Sequence, residues 1–245
     1  MTFQIKKNSL SNELKAHDGK KKFNIDDPLS LEAYTIHIIV GSKGSGKTSL
    51  LLSMLKSKDI YRKHFNNIYL ISPTAGTGHD PKMLKLVDEL DKDGHFFTEC
   101  NDENYNEILD MIKESNNELL EKKKEYKNLL ILDDCLASMP RNGEKNNKLN
   151  EMIIACRHLH TNVILLVQKY NTIPTLIRTN TDYISFFPSH SRQEIQTLIN
   201  DWSIDEKLFK QLLDFATSEK YSFLHINLLH DNKPLFFKKF DRILI

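Results

Sequence analysis

What this 245-residue chain has little of narrows the field first. Three cysteines, Cys100, Cys135 and Cys156, are too few and too scattered for a disulfide framework or a thiolate metal site, and the pattern fits a reducing compartment. No run approaches the ~18 consecutive apolar residues of a membrane-spanning helix, so neither a transmembrane helix nor a membrane partner is expected. The opening residues, Met1 to Lys7, hold no apolar stretch, so no secretory leader is expected. Net charge is nearly absent: 34 Lys and Arg against 33 Asp and Glu leave +1. That balance excludes a protein that coats nucleic acid by bulk charge. Any grip on nucleic acid must come from local patches, or from a few residues in an oligomeric channel. The sequence also lacks internal repeats and low-complexity tracts. With 40% hydrophobic and 27% charged residues there is enough apolar material for a sizeable core, which excludes global disorder.

Residues 1–22 are polar, with Lys6, Lys7, Lys15, Lys20, Lys21 and Lys22 opposed only by Glu13 and Asp18. This is the composition of a flexible basic arm, either merely solvated or touching DNA phosphates or a capsid partner. Residues 23–245 read as one domain, with a core over about 34–190. Tyr34 to Val40 is β-branched and apolar, a buried strand, and Thr48 to Lys56 has helical spacing. Further apolar strands are expected at 68–71, 129–132, 163–167 and 183–187. Helices are expected at 82–91, 103–125 and from about 148 to 160, and loops at 74–82 and 140–148. Apolar strands alternating with helices predict an α/β fold whose mainly parallel sheet is covered on both faces. The remainder, about 191–245, reads as helices near 191–200 and 205–217. A C-terminal β-hairpin follows, its arms Tyr221–Leu229 and Pro234–Phe240 flanking Asp231-Asn232.

The segment Gly41-Ser42-Lys43-Gly44-Ser45-Gly46-Lys47-Thr48 follows the first strand and opens the first helix. It matches G-x-x-x-x-G-K-[ST], the phosphate-binding P-loop. Glycines let the backbone curl so that N–H groups can converge on phosphate oxygens. The helix N-terminus adds its partial positive charge. Lys47 can reach the β- and γ-phosphates of ATP, and the Thr48 hydroxyl can ligate Mg²⁺. At Gly and Lys usage near 7%, a chance match in a chain this long is roughly one in a hundred. A second motif, Leu129-Leu130-Ile131-Leu132-Asp133-Asp134, is an apolar strand ending in two acids, as a Walker B strand must be. Asp133 is placed to hold the Mg²⁺ shell and Asp134 to polarise a water. A third element is Gln168 at the end of the strand Val163–Val167, where an amide can bond the γ-phosphate or orient that water.

A P-loop alone does not choose between motor, kinase and GTPase. The N-K-x-D base-reading motif of GTPases is missing; Thr179-Asn180-Thr181-Asp182 lacks the lysine. The arginine-rich lid of small-molecule kinases is missing too. P-loop, acid pair and then Gln on the following strand favour a hydrolytic motor of the additional-strand type. In that type the Gln strand lies between the P-loop strand and the Walker B strand. A DNA helicase or recombination motor shares these residues, and a nucleotide kinase is the more distant alternative.

The run from Ala155-Cys156-Arg157-His158 to Val167-Gln168 resembles the Arg-His, apolar strand, Gln segment of viral DNA-packaging ATPases of the FtsK–HerA class. These occur in poxviruses, giant viruses and virophages, the virophage members being the nearest in appearance. Ile71-Ser72-Pro73-Thr74, Ile173-Pro174, Arg178 and Asn180 extend the resemblance, which covers about residues 34–190. It implies a homo-oligomeric ring that pushes double-stranded DNA into a preformed capsid, with a capsid or portal component as partner. The implied setting is the host cytoplasm, in the virus factory, with the virion as a second location. It further implies Gln168 as γ-phosphate sensor and Arg157 as the finger that reaches a neighbour's nucleotide, with Arg178 as runner-up. One departure is Asp134, where many cellular members carry Glu; the poxviral members share the Asp-Asp pair. The extra DNA-reading or membrane-anchoring domains of cellular members are not expected in 245 residues. Loops 74–80 and 140–148, the latter with Arg141, Lys145 and Lys148, are candidate channel loops.

Overall fold

The computed structural model describes residues 27–78, 80–121, 127–135, 139, 147–189, 191–229 and 233–245. The proposed arm 1–22, most of loop 140–148, residues 122–125 of the expected second long helix, and the hairpin tip at Asp231-Asn232 lie outside them. The elements run β1 (Ile36–Val40), α1 (Lys47–Lys56), β2 (Asn67–Ile71), α2 (Pro81–Lys92), β3 (Phe96–Phe97), α3 (Asp102–Glu121), β4 (Asn128–Asp133) and α4 (Lys148–Ala155). They continue with β5 (Thr161–Val167), α5 (Thr175–Thr179), β6 (Tyr183–Phe186), α6 (Arg192–Trp202), α7 (Glu206–Ala216), β7 (Leu224–Asn227), β8 (Leu235–Lys238) and β9 (Asp241–Arg242).

The strands form a single sheet in the order β3-β2-β4-β5-β1-β6-β7-β8-β9. From β3 to β6 every pairing is parallel; β7, β8 and β9 add on antiparallel. Strand β5, which carries Gln168 at its end, lies between β1 and β4, the additional-strand order expected from the motifs. The C-terminal hairpin is β7–β8, and its first arm extends the sheet beyond β6. Strand β3, β9 and helix α5 were not expected. Each is only two to five residues long, too short to show a period in the sequence.

Both faces of the sheet are covered, which is why its central strands are largely apolar rather than alternating. Ile36, Ile38 and Val40 of β1 join a core with Tyr105, Ile108 and Ile112 of α3, Leu149 and Met152 of α4, and Leu212 of α7. Ile39, with Leu129 and Ile131 of β4, packs on the other face against Leu51 and Met54 of α1 and Val87 of α2. Helix starts carry the expected caps: Asp80 accepts from Lys82 N ahead of Pro81, and Asn147 accepts from Leu149 N. None of the described helices is long and apolar enough to cross a membrane.

Polar groups enter the middle of the sheet on β1, β6 and β7. His225 Nε2 lies 2.7 Å from the Pro28 carbonyl, Ser185 Oγ 3.0 Å from His225 Nδ1, and His37 Nε2 2.9 Å from Ser185 Oγ. Burial holds both rings neutral, lowering His225 to about 4 and His37 well below the usual histidine range. The protons then follow in order. His225 Nε2 must donate to the carbonyl, so its Nδ1 accepts from Ser185, whose oxygen accepts from His37 Nε2–H. The chain ends at His37 Nδ1, buried with no hydrogen-bond partner. Together with Asn227 Nδ2 donating to Asp27 O and Ser30 N donating to Tyr183 OH, it ties residues 27–30 onto the sheet.

The cysteines correct a sequence expectation. Cys100, ahead of α3, and Cys135, directly after β4, are joined as a disulfide with Cα atoms 6.0 Å apart; Cys156 is a free, buried thiol. A separation of 35 residues carries no spacing signal, and only the fold brings the two together.

Candidate nucleotide site

The loop between β1 and α1 depends on glycine at three positions. Gly44 and Gly46 have φ of +78° and +112°, the left-handed region where a side chain is strained. At Gly41 the obstacle is space: a Cβ there would strike Ser45 Oγ and approach the Phe187 Cβ to 2.8 Å. The loop is tied to the strands beside it, since Gly41 N donates to Val167 O and Phe187 N to Val40 O. Ser45 Oγ is buried without a hydrogen-bond partner, and no side chain caps the first turn of α1. The N-terminal amides of α1 therefore remain available to an anion. Lys47 reaches back over the loop, its ammonium donating to Gly41 O at 2.8 Å and Ser42 O at 3.2 Å. Burial lowers its pKa, and the nearby carboxylates Asp134 and Asp133 partly restore it.

Those carboxylates arrive from β4. Asp133 is the last residue of the strand and is buried, with Ser72 Oγ donating to its Oδ2 at 3.1 Å. Burial and then the Asp134 charge raise its pKa; the Ser72 bond and Lys47 oppose them. Asp134 takes a left-handed conformation, φ +54°, with its N–H donating to Leu166 O at 3.3 Å. Gln168, one residue past β5, donates from Nε2 to Asp134 Oδ1 at 3.1 Å. The sheet order makes this possible. With β5 between β1 and β4, the three strand ends present Lys47, Asp133, Asp134 and Gln168 to one another at the carboxyl edge of the sheet, the usual ligand site of an open α/β sheet.

Thr48 follows Lys47 in the first turn of α1 and is half-buried. The donor types suit a hard cation shared with phosphates: one hydroxyl and one buried carboxylate. Among the described residues no group of three acidic, histidine or cysteine side chains could enclose a metal unaided.

The arginines go elsewhere. Arg157 sits after α4 and before β5, at the opposite end of the sheet from the loop, and is 70% exposed. Its Nη2 lies 3.3 Å from Oδ1 of Asp182, whose other oxygen accepts from Ile36 N. Burial raises Asp182 to about 6, and Arg157 pulls it down in part. Arg178 is buried and paired with Asp201 at 2.9 Å, in a geometry too bent for a straight hydrogen bond. It also lies over the Tyr170 ring. Loop 74–80 holds a single 3-10 turn, Ala75–Thr77, and Asp80 caps α2. Of loop 140–148, only Asn147, the cap of α4, and Lys148, its first residue, are described.

Two participants were not singled out from the sequence. Ser72 was noted only within a segment of resemblance; its role follows from β2 pairing with β4, which sets it beside Asp133. Phe187 was read only as the end of a strand, yet it backs Gly41.

A sequence profile described as "Poxvirus A32 protein" matches residues 20–232. The DNA packaging protein OPG160 of Variola virus is 30% identical over 165 residues, covering 64% of this chain and 54% of that protein. The chain thus spans about half the length of the curated relatives it matches. Among solved structures, the genome packaging NTPase B204 from Sulfolobus turreted icosahedral virus 2, in complex with AMPPCP, superposes with a TM-score of 0.55. Identity is 17%, over 86% of this chain and 98% of that one. EssC (ATPases 2 and 3) from Geobacillus thermodenitrificans gives 0.52 at 16% identity, over 86% of this chain and 40% of that one. At such identities the structural likeness bears on the fold.

Proposed function

The chain belongs to the Poxvirus A32 protein family, and from that membership and the site we propose that it is an ATP-driven motor that moves double-stranded viral DNA into a preformed capsid. The observation that carries the reading is the meeting of Lys47, Asp133, Asp134 and Gln168 at one sheet edge beside a glycine cradle. The loop 41–48 would hold the triphosphate, Lys47 neutralising its β- and γ-oxygens. Thr48 and Asp133 would hold Mg²⁺, which when bound draws charge from the phosphate oxygens. Asp134 is the base. Gln168 occupies its Oδ1, which leaves Oδ2 to take the proton of the attacking water. The same contact lets Gln168 report the γ-phosphate to the acid.

In this reading residues 23–245 form one motor domain that works as a homo-oligomeric ring. Arg157 serves the neighbouring subunit's nucleotide, and its distance from its own loop is what a head-to-tail ring requires. DNA phosphates are gripped by the arm 1–22 and loops 74–80 and 140–148, without sequence readout. A capsid or portal component is the remaining partner, the host cytoplasm the place of work and the virion a second. Within the family we place the chain nearest the virophage members.

The test is ATP turnover with and without double-stranded DNA, with native mass recorded in nucleotide. Turnover that DNA stimulates, in a ring-sized species, is expected. DNA affinity should fall steeply with salt. Turnover undiminished by Lys47→Ala removes the site. Phosphate transfer to a small acceptor would make the chain a kinase, and strand separation on forked DNA a helicase. Mixing Arg157→Ala with Lys47→Ala subunits should recover some activity through interfaces that pair an intact arginine with an intact loop; no recovery removes the role of Arg157.

A further inference from the structure

The loop has two flanks. On the β5–β4 side stand the acids and Gln168; on the β6–β7 side stand two aromatic rings. Gly46 leaves them room: a Cβ placed on it would lie 3.4 Å from Phe187 Cε1 and 3.5 Å from Tyr221 Cδ1. Phe187 is buried, but Tyr221 is 57% exposed, an unusual state for a large ring beside a glycine loop. Its backbone is unusual as well, with φ of +63°, a conformation that bulky residues adopt only where the surroundings impose it. The surroundings here are well tied. Ser222 N donates to Glu219 O, Lys239 N donates to Phe223 O, and Glu219 pairs with Lys238 and Lys239. The Lys220 ammonium lies 4.9 Å from the ring centroid, a cation–π contact that helps hold the ring in place.

A triphosphate whose γ end faces Asp134 must send its sugar and base away from β4, across the loop toward β6 and β7. We propose that Tyr221, exposed beside Gly46, is the platform on which the nucleobase stacks. The proposal rests on the nucleotide reading of the loop and adds the base subsite. A stacking platform reads the π-face and not the base edge, so it supplies affinity and placement more than discrimination between bases.

The experiment compares ATP with inorganic tripolyphosphate, which carries the phosphates without the base, by equilibrium titration of the full chain in magnesium. Tyr221→Asn removes the ring but keeps a residue that tolerates the left-handed backbone. It should weaken ATP about ten-fold, the scale of a lost base–aromatic stack. Tripolyphosphate binding should stay within about two-fold of the parent, and Tyr221→Phe should restore ATP. Tyr221→Trp is the second probe: ATP, but not tripolyphosphate, should quench the added indole, read against the parent with its one tryptophan, Trp202. An unchanged ratio of ATP to tripolyphosphate affinity, or equal weakening of both, overturns the platform alone. A parent chain that binds neither ligand overturns the nucleotide reading and the platform with it.

Discussion

At the carboxyl ends of β1, β4 and β5, Lys47, Asp133, Asp134 and Gln168 meet with hydrogen-bonding capacity to spare. In the middle of β1, β6 and β7, His37, Ser185 and His225 meet on the same sheet with theirs nearly exhausted. Both clusters interrupt apolar strands, and burial shifts pKa values in both. They differ in where the polar atoms can turn next. Asp134 and Gln168 lie at strand ends with exposed surface, whereas His37, Ser185 and His225 are buried in the sheet beside the segment 27–30. A perturbed pKa therefore does not by itself mark chemistry; unspent donors and acceptors at an open edge do.

The comparison predicts that the two clusters fail in different currencies. At the edge, Lys47→Ala should cut ATP turnover by about a thousand-fold, the upper end for removing a single charge-stabilising donor. The melting temperature should move far less, because the lost bonds run from a desolvated ammonium whose burial already disfavours its charge. Asp134→Asn should lower single-turnover hydrolysis by ~100-fold or more while a titration still shows ATP bound. If instead it abolished binding, Asp134 would belong to the phosphate cradle and not to the water.

In the sealed cluster the loss should appear as stability. Ser185→Ala strands His37 Nε2–H and His225 Nδ1, each at about 1–3 kcal/mol. The melting temperature should drop by several degrees, with turnover per folded molecule unchanged. Acid should act in the same place. Both histidines have lowered folded pKa values, so the unfolded chain binds protons first as pH falls below about 6.5. Their contribution is intact above that pH and is lost from there down to the folded value, about 4 for His225. Unfolding free energies from urea titrations between pH 7 and 5 should fall by up to ~1.4 kcal/mol per ring per pH unit. A flat profile would mean that the rings take up protons in the fold as readily as in the unfolded chain.

The edge cluster was legible because its chemistry is local in sequence: a P-loop, an acid pair and a strand-end Gln each fit within a few residues. The parallel core was legible because strands covered on both faces are apolar along most of their length. The sealed cluster was not. His37, Ser185 and His225 are scattered over 189 residues and each looks like a lone polar residue in its strand. Their meeting depends on β6 joining β1 and β7 joining β6, a pairing that no periodicity encodes. Ser72 beside Asp133 and Cys100 beside Cys135 were hidden for the same reason.

Arg157 belongs to neither cluster and gives the finest test. Its partner Asp182 is buried, yet the guanidinium is 70% exposed, so the pair should contribute no more than ~1 kcal/mol to the isolated subunit. The sign of its pH dependence is fixed by Asp182, whose folded pKa is raised to about 6. A carboxyl raised in this way favours the fold when protonated, and that advantage is lost as pH rises through 6. Arg157 offsets the loss only where Asp182 is charged. Arg157→Ala should therefore cost a few tenths of a kcal/mol to ~1 kcal/mol at pH 8 and almost nothing at pH 4.5, measured by urea denaturation. A cost that is large and independent of pH would make Arg157 a packing residue. A small, alkaline-only cost joined to a large loss of turnover in the assembled ring would leave the guanidinium to act beyond its own subunit.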